Sequence, residues 1–154
     1  MKRLLVFLTA VLMMSCATTS ADRRSVADFS DIIGKQWKLV EVYVGGRNTQ
    51  FSRDSLRTDF AREMFTLTFD GQTLSGTAAP NLFSAPYTLG DNQAISIMPM
   101  RSTLMASFFQ PENITEPDFF AYMQNAQKWG LADGNLELYS KTENGREVRL
   151  VFGL

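Results

Sequence analysis

The chain has 154 residues, with 15 Lys and Arg against 16 Asp and Glu, one cysteine and no histidine. Without histidine, Ser-His-Asp and Cys-His catalysis, imidazole metal ligation and histidine pH switching are excluded. One cysteine rules out an internal disulfide and a multi-thiolate metal site, so packing and hydrogen bonds must hold the fold, and no metal or cofactor is expected.

Lys2 and Arg3 open the chain, and residues 4–14 are apolar apart from Thr9. That run is far short of the ~20 residues needed to span a bilayer, so it reads as the h-region of a signal peptide. The closing Leu12-Met13-Met14-Ser15-Cys16 resembles a bacterial lipobox, with Met13 where Leu is usual. Such a signal implies a diacylglyceryl thioether on Cys16, cleavage before it, and acylation of the new amino group. The alternative is an ordinary secretory signal cut near Ala17 or Ala21. The expected organisation is a signal peptide over 1–15, a lipidated cysteine and tether over 16–28, and one folded domain over 29–154. The domain then faces the periplasm from a membrane, and Ala17 in place of an aspartate favours the outer membrane over the inner. Losing Lys2 and Arg3 reduces the 15 bases to 13 against 16 acids, a net charge of −3. Beyond Arg23-Arg24 no basic run occurs, so nucleic acid is not an expected partner.

Residues 17–27 are polar and small, a tether reaching roughly 15–20 Å as coil. Asp28 should cap a short turn that docks Phe29, Ile32 and Ile33 on the core. A long strand over 35–44 ends at Gly45-Gly46. The stretch 48–62 is ambiguous between a loop and a short helix over 54–61 with Leu56 and Phe60 inward. Phe65, Leu67 and Phe69 alternate with Thr66 and Thr68, the period of a half-buried strand. Asp70-Gly71 follows, a strong hairpin signal, and 72–77 returns. Strands over 83–88 and 94–98 turn at Gly90-Asp91-Asn92. Near the C-terminus, Asp133-Gly134 precedes a strand over 135–140, and Asn144-Gly145 joins it to one over 147–152. One helix interrupts this pattern. Thr115 is placed to cap it, Pro117 fits its first turn, and Phe119 or Phe120 with Met123 form its apolar stripe before Trp129-Gly130 end the segment. The fold class is mainly β (α+β): a single antiparallel, partly open barrel-like sheet built from hairpins, with one helix packed on it.

The order of these pieces is similar to the META domain of HslJ-like bacterial lipoproteins, over roughly 34–152. Gly34-Lys35-Gln36-Trp37-Lys38-Leu39 resembles the family's Trp-x-Leu first strand. Phe69-Asp70-Gly71-Gln72-Thr73-Leu74-Ser75-Gly76 resembles its hairpin closing on a glycine. Asn81 matches the asparagine of a Gly-Cys-Asn motif, Tyr87 a Gly-x-Tyr, and Ser102-Thr103-Leu104-Met105-Ala106 a Thr-x-Met-Ala motif. Glu116, Phe119 and Met123 follow the helix pattern, and Asn135-Leu136-Glu137-Leu138 the penultimate strand. Two cysteines placed to pair in members that have them are Pro80 and Ser107 here. Pro80 and Pro86 are available instead to stiffen the asparagine loop. The resemblance implies envelope or stress-related roles and no established catalytic activity.

Asn81, Thr103 and Glu116 are the polar positions these motifs emphasise. They either converge on a ligand or act structurally, Asn81 holding a turn, Thr103 capping a loop and Glu116 capping the helix. Most other acids, including Asp70, Asp91, Asp133 and Glu143, sit at turns. Lysines such as Lys38 and Lys128 have no Ser-x-x-Lys spacing for a dyad. Met98, Met100, Leu104 and Met105, followed by Phe108-Phe109, concentrate soft apolar bulk. They either plug the open end of the barrel or line a groove for an acyl chain or a partner, with Met98, Met100, Met105 and Phe108 as the candidate surface. Trp37 and Trp129 read as core or rim aromatics. The expected function is a non-enzymatic envelope binding module for a protein partner or hydrophobic ligand. Two alternatives remain: a hydrolase acting through carboxylates such as Glu116, and a protease inhibitor presenting Ala79-Pro80-Asn81.

Overall fold

The computed structural model describes residues 27–51, 53, 62–106 and 114–154. Cys16, the signal peptide, the tether up to Val26, the 54–61 helix and Phe108-Phe109 lie outside the described residues.

Asp28 accepts a hydrogen bond from Ser30 N and caps a 3-10 turn, Phe29–Asp31. Phe29 and Ile32 dock in the core as expected, whereas Ile33 stays 40% exposed. Strand β1 (Gln36–Val44) follows, burying Trp37, Leu39 and Val42. Gly45 and Gly46 turn the chain at φ +57 and +83, the left-handed region that glycine enters without steric cost. That turn leads into β2 (Arg47–Gln50), a polar edge strand that no periodicity announced.

Strands β3 (Thr66–Phe69) and β4 (Thr73–Thr77) form the next hairpin. Its turn centres on Gly71 and Gln72, one residue later than Asp70-Gly71 suggested. Asp70 takes the first turn position, where its carboxylate accepts from Gln72 N and Thr73 N. β5 (Leu82–Leu89) pairs with β4 along one edge. Along its other edge it meets β6 (Ile95–Ile97) and β7 (Arg101–Ser102) in succession.

Helix α1 (Glu116–Gln124) starts with a reciprocal capping box between Thr115 and Asp118. Asp118 fills the role expected of Glu116. The helix ends at Gln124, and Trp129-Gly130 belong instead to β8 (Lys128–Ala132). β9 (Asn135–Lys141) and β10 (Glu147–Gly153) complete the sheet. Asp133 and Gly134 both take positive φ, the signature of a two-residue hairpin turn. At Asn144-Gly145 the loop is wider, with Gly145 N donating to Thr142 O and Thr142 N to Arg146 O.

The strand order is β6-β5-β4-β3-β1-β10-β9-β8, antiparallel throughout. The end strands nearly meet: Ala94 and Lys128 form one bridge, and Ile95 N donates to Gln127 O at 3.1 Å. The sheet is therefore a barrel with one unsealed seam. Helix α1 plugs it, with Phe119 and Met123 fully buried. Phe119 touches the rings of Phe65, Phe83 and Phe152 at centroid distances of 5.1, 5.7 and 6.5 Å. Each such ring contributes about 1.5–3 kcal/mol by leaving water.

Candidate functional site

The polar motif residues converge where β5 leaves the Ala78–Asn81 corner. Asn81 is only 5% exposed, and all its side-chain capacity is used within the protein. Its Oδ1 accepts from Thr103 Oγ1 at 2.8 Å and Met105 N at 2.7 Å, while Nδ2 donates to Glu116 Oε2 at 2.7 Å and Met105 O at 3.2 Å. Thr103 Oγ1 also accepts from Leu82 N, and Thr103 N donates to Leu82 O.

Glu116 stands at the first position of α1 and points away from its own helix end. Its Oε1 accepts from Ala79 N at 2.8 Å and Asn81 N at 2.9 Å. These charge-assisted bonds satisfy two backbone donors that the corner, with its cis Ala79–Pro80 peptide, leaves without a ladder partner. Glu116 is a strut between helix and corner, which corrects its expected role as a helix cap. Asn81 likewise does more than hold its own turn: it ties that turn to the segment 103–105. Chemically the cluster is closed. Oε1 carries two donors and Oε2 a third, so the carboxylate acts as an acceptor for the protein itself.

Beside this cluster lies apolar surface. Leu82 is 56% exposed, Met105 50% and Leu104 96%. Met98 is also exposed, at 37%, whereas Met100 packs against the core. The barrel plug is thus Phe119 and Met123, and the methionine cluster lies mostly outside. Trp37 and Trp129 are core residues: Trp37 Nε1 donates to Ile32 O at 3.0 Å, and Trp129 stacks edge-on to Phe29.

Arg53 is a structural residue that pattern reading passes over. Its Nε donates to Leu39 O, Nη1 to Arg62 O, and Nη2 to both Met64 O and Phe65 O, at 2.7–3.0 Å. Burial lowers its pKa, opposed by the nearby Glu63 charge. One guanidinium therefore gathers carbonyls from β1 and from the turn before β3, where Phe65 sits at φ +50. No local signal marks it, because all four acceptors are backbone atoms brought in by the tertiary fold.

Among the described residues no group of three or more His, Cys, Asp or Glu could hold a metal ion. Also among them, no helix is long and apolar enough to cross a membrane.

Comparison with known proteins places this architecture. The chain resembles an NMR structure of a protein from Burkholderia xenovorans at 19% identity and a TM-score of 0.57, covering 86% of this chain and 96% of that one. It also resembles the crystal structure of a DUF4847 family protein from Bacteroides vulgatus at 14% identity and a TM-score of 0.53, covering 81% and 95%. At such identities the likeness is one of fold. No curated protein matches the chain. The META-domain family profile matches residues 30–151, and the chain belongs to that family.

Proposed function

We propose that this protein is a lipid-anchored lipoprotein of the bacterial envelope, on the periplasmic face of the outer membrane. Its META domain is a non-enzymatic module that docks an apolar segment of a partner protein. The observation that carries the docking surface is Leu104. It is 96% exposed, yet the residues on either side, Thr103 and Met105, are both bonded to the buried Asn81. A leucine held in water on a pinned segment adds nothing to folding and is pre-organised for contact. Leu82 and Met105 extend the same surface, and soft residues such as methionine suit adaptable interfaces.

An acyl chain would have to lie on this outer surface, because aromatic rings occupy the barrel interior. A hydrolytic role for Glu116 has little support, since its oxygens serve the Ala79–Asn81 corner. The anchor rests on Cys16 and the preceding n- and h-regions.

The test is site-specific photo-crosslinking from position 104 in intact cells, followed by mass analysis of the adduct. A discrete protein adduct, lost when Leu82→Asp is added on the same surface at an unchanged melting temperature, is expected. A phospholipid adduct would replace the protein partner by an acyl ligand, and no adduct would overturn the docking surface. Fractionation of Cys16→Ala tests the anchor: release from membranes is expected, and unchanged retention would refute it.

A further inference from the structure

The outer face of strands β1, β10, β9 and β8 carries a second constellation, away from the Asn81 cluster. Val42, Leu150, Leu138 and Trp129 pair across these strands and are buried, so the neighbouring cross-strand row faces outward. That row is Tyr43, Arg149, Tyr139 and Lys128. The Arg149 guanidinium lies 3.9 Å over the Tyr43 ring, and Nη1 donates to Glu137 Oε1 at 3.1 Å. Tyr139 donates its hydroxyl to the other Glu137 oxygen. Tyr43 in turn is held by Asn48 Nδ2 at 2.9 Å.

Glu137 is only 8% exposed although its row points outward. The side chains of its two partners shield it, and its charge fixes the guanidinium in place. A guanidinium has five N–H donors. Glu137 takes one and the Tyr139 hydroxyl oxygen engages the same guanidinium, which leaves further N–H donors of the fork over. The outcome is a stacked, oriented cation between two tyrosines.

A cavity of about 410 Å³ opens on this row, lined by Tyr43, Lys128, Tyr139, Lys141, Glu147 and Arg149 among others. That size suits a small organic ligand. Lys128 and Lys141 have no ion-pair partner among the described residues. Three cations thus border the cavity against Glu147, in a chain whose overall charge is negative.

We propose that this cavity binds a small cyclic oxyanion, a saccharide-sized ring bearing a carboxylate or a phosphate. The exposed Tyr139 ring would pack on the ligand ring, the guanidinium fork stacked on Tyr43 would take two oxygens of the anionic group, and the lysines would supply the surrounding positive field.

The test is titration of the full chain, purified in detergent, with three probes: N-acetylmuramic acid, glucose 1-phosphate and uncharged N-acetylglucosamine. Saturation-transfer NMR reads binding. At least one acidic probe should bind roughly tenfold more tightly than the uncharged sugar. Which one does so identifies carboxylate or phosphate as the source. Arg149→Gln and the exposed pair Lys128→Ala with Lys141→Ala should each weaken that binding by about tenfold or more. The lysine pair touches no buried contact, so its result stands even if Arg149→Gln disturbs the fold. Absence of binding by both acids, equal binding of the uncharged sugar, or affinity unchanged by the lysine pair would each overturn the proposal.

Discussion

At the scale of single residues, what decides a side chain's role is where its hydrogen-bonding capacity goes. Glu116 illustrates this. As a helix cap it would be worth at most about 1 kcal/mol. The structure instead gives it two backbone donors from the corner and the Asn81 amide. Glu116→Gln retains one acceptor but sets an amide N–H₂ against Asn81 Nδ2, so a loss of about 2 kcal/mol is expected in denaturant unfolding. A loss below about 0.5 kcal/mol would mean that the strut is dispensable in solution. Asp70 shows the same logic with a pH signature. Backbone donors from Gln72 and Thr73 hold its pKa below the ordinary 3.8. Its contribution is therefore present in full above that value and lost as pH falls from there through the lower pKa of the folded state. The thermal midpoint should decline on acidification below about pH 4, and Asp70→Asn, which keeps an acceptor at the turn, should flatten that decline. An identical pH profile in the variant would remove Asp70 from the account.

At the scale of elements, close backbone approach sets the strongest constraint. Opposite Leu67 on β4, a Cβ on Gly76 would lie 1.9 Å from Thr66 O and 2.9 Å from Phe83 Cζ. The first contact is with main chain and cannot rotate away. Gly76→Ala should therefore cost about 3 kcal/mol, while Gly71→Ala in the adjacent turn, with open space around it, should stay within about 0.5 kcal/mol. Equal midpoints for the two variants in a melting experiment would show that β3 and β4 are free to separate there. The hairpins were readable because their signals are local: an Asx-Gly pair between alternating runs is complete within a dozen residues. β2 and β8 were not. Arg47-Asn48-Thr49-Gln50 has no apolar alternation, and its strand character comes from pairing with β1. Trp129-Gly130 reads as a helix end because glycine commonly terminates helices, yet β9 recruits it as a strand. The site divides similarly. Asn81, Thr103 and Glu116 could be named from motif resemblance, but their convergence links residues up to 35 positions apart. The row joining Tyr43, Arg149 and Tyr139 depends on register across strands distant in sequence, which no local pattern encodes.

At the scale of the molecule, the unsealed seam sets how stability is distributed. β10 lies between β1 and β9 with ladders on both sides, and Leu150 at its centre is fully buried. β6 has three residues and is held to β8's side by one bridge and the Ile95–Gln127 bond. Opening at the seam breaks few hydrogen bonds, and its cost lies mainly in exposing Phe119 and Met123 of the plugging helix. Cooperative units with fewer backbone ties open at lower free energy than the global transition. Native-state hydrogen exchange should therefore find the β10 and β1 amides exchanging only through global unfolding. Those of Ile95, Ile97 and helix α1 should exchange together, through an opening about 1–3 kcal/mol less costly. Phe119→Ala should widen that gap, since it removes the ring that meets Phe65, Phe83 and Phe152 but none of the hydrogen bonds of the β1-β10-β9 ladder. Protection equal to the global limit at Ile95 would mean that the seam is as firmly closed as the rest of the barrel. In that case the helix plug and the sheet would unfold as one unit, and the surface beside Asn81 would be held by the whole fold rather than by its local clamp.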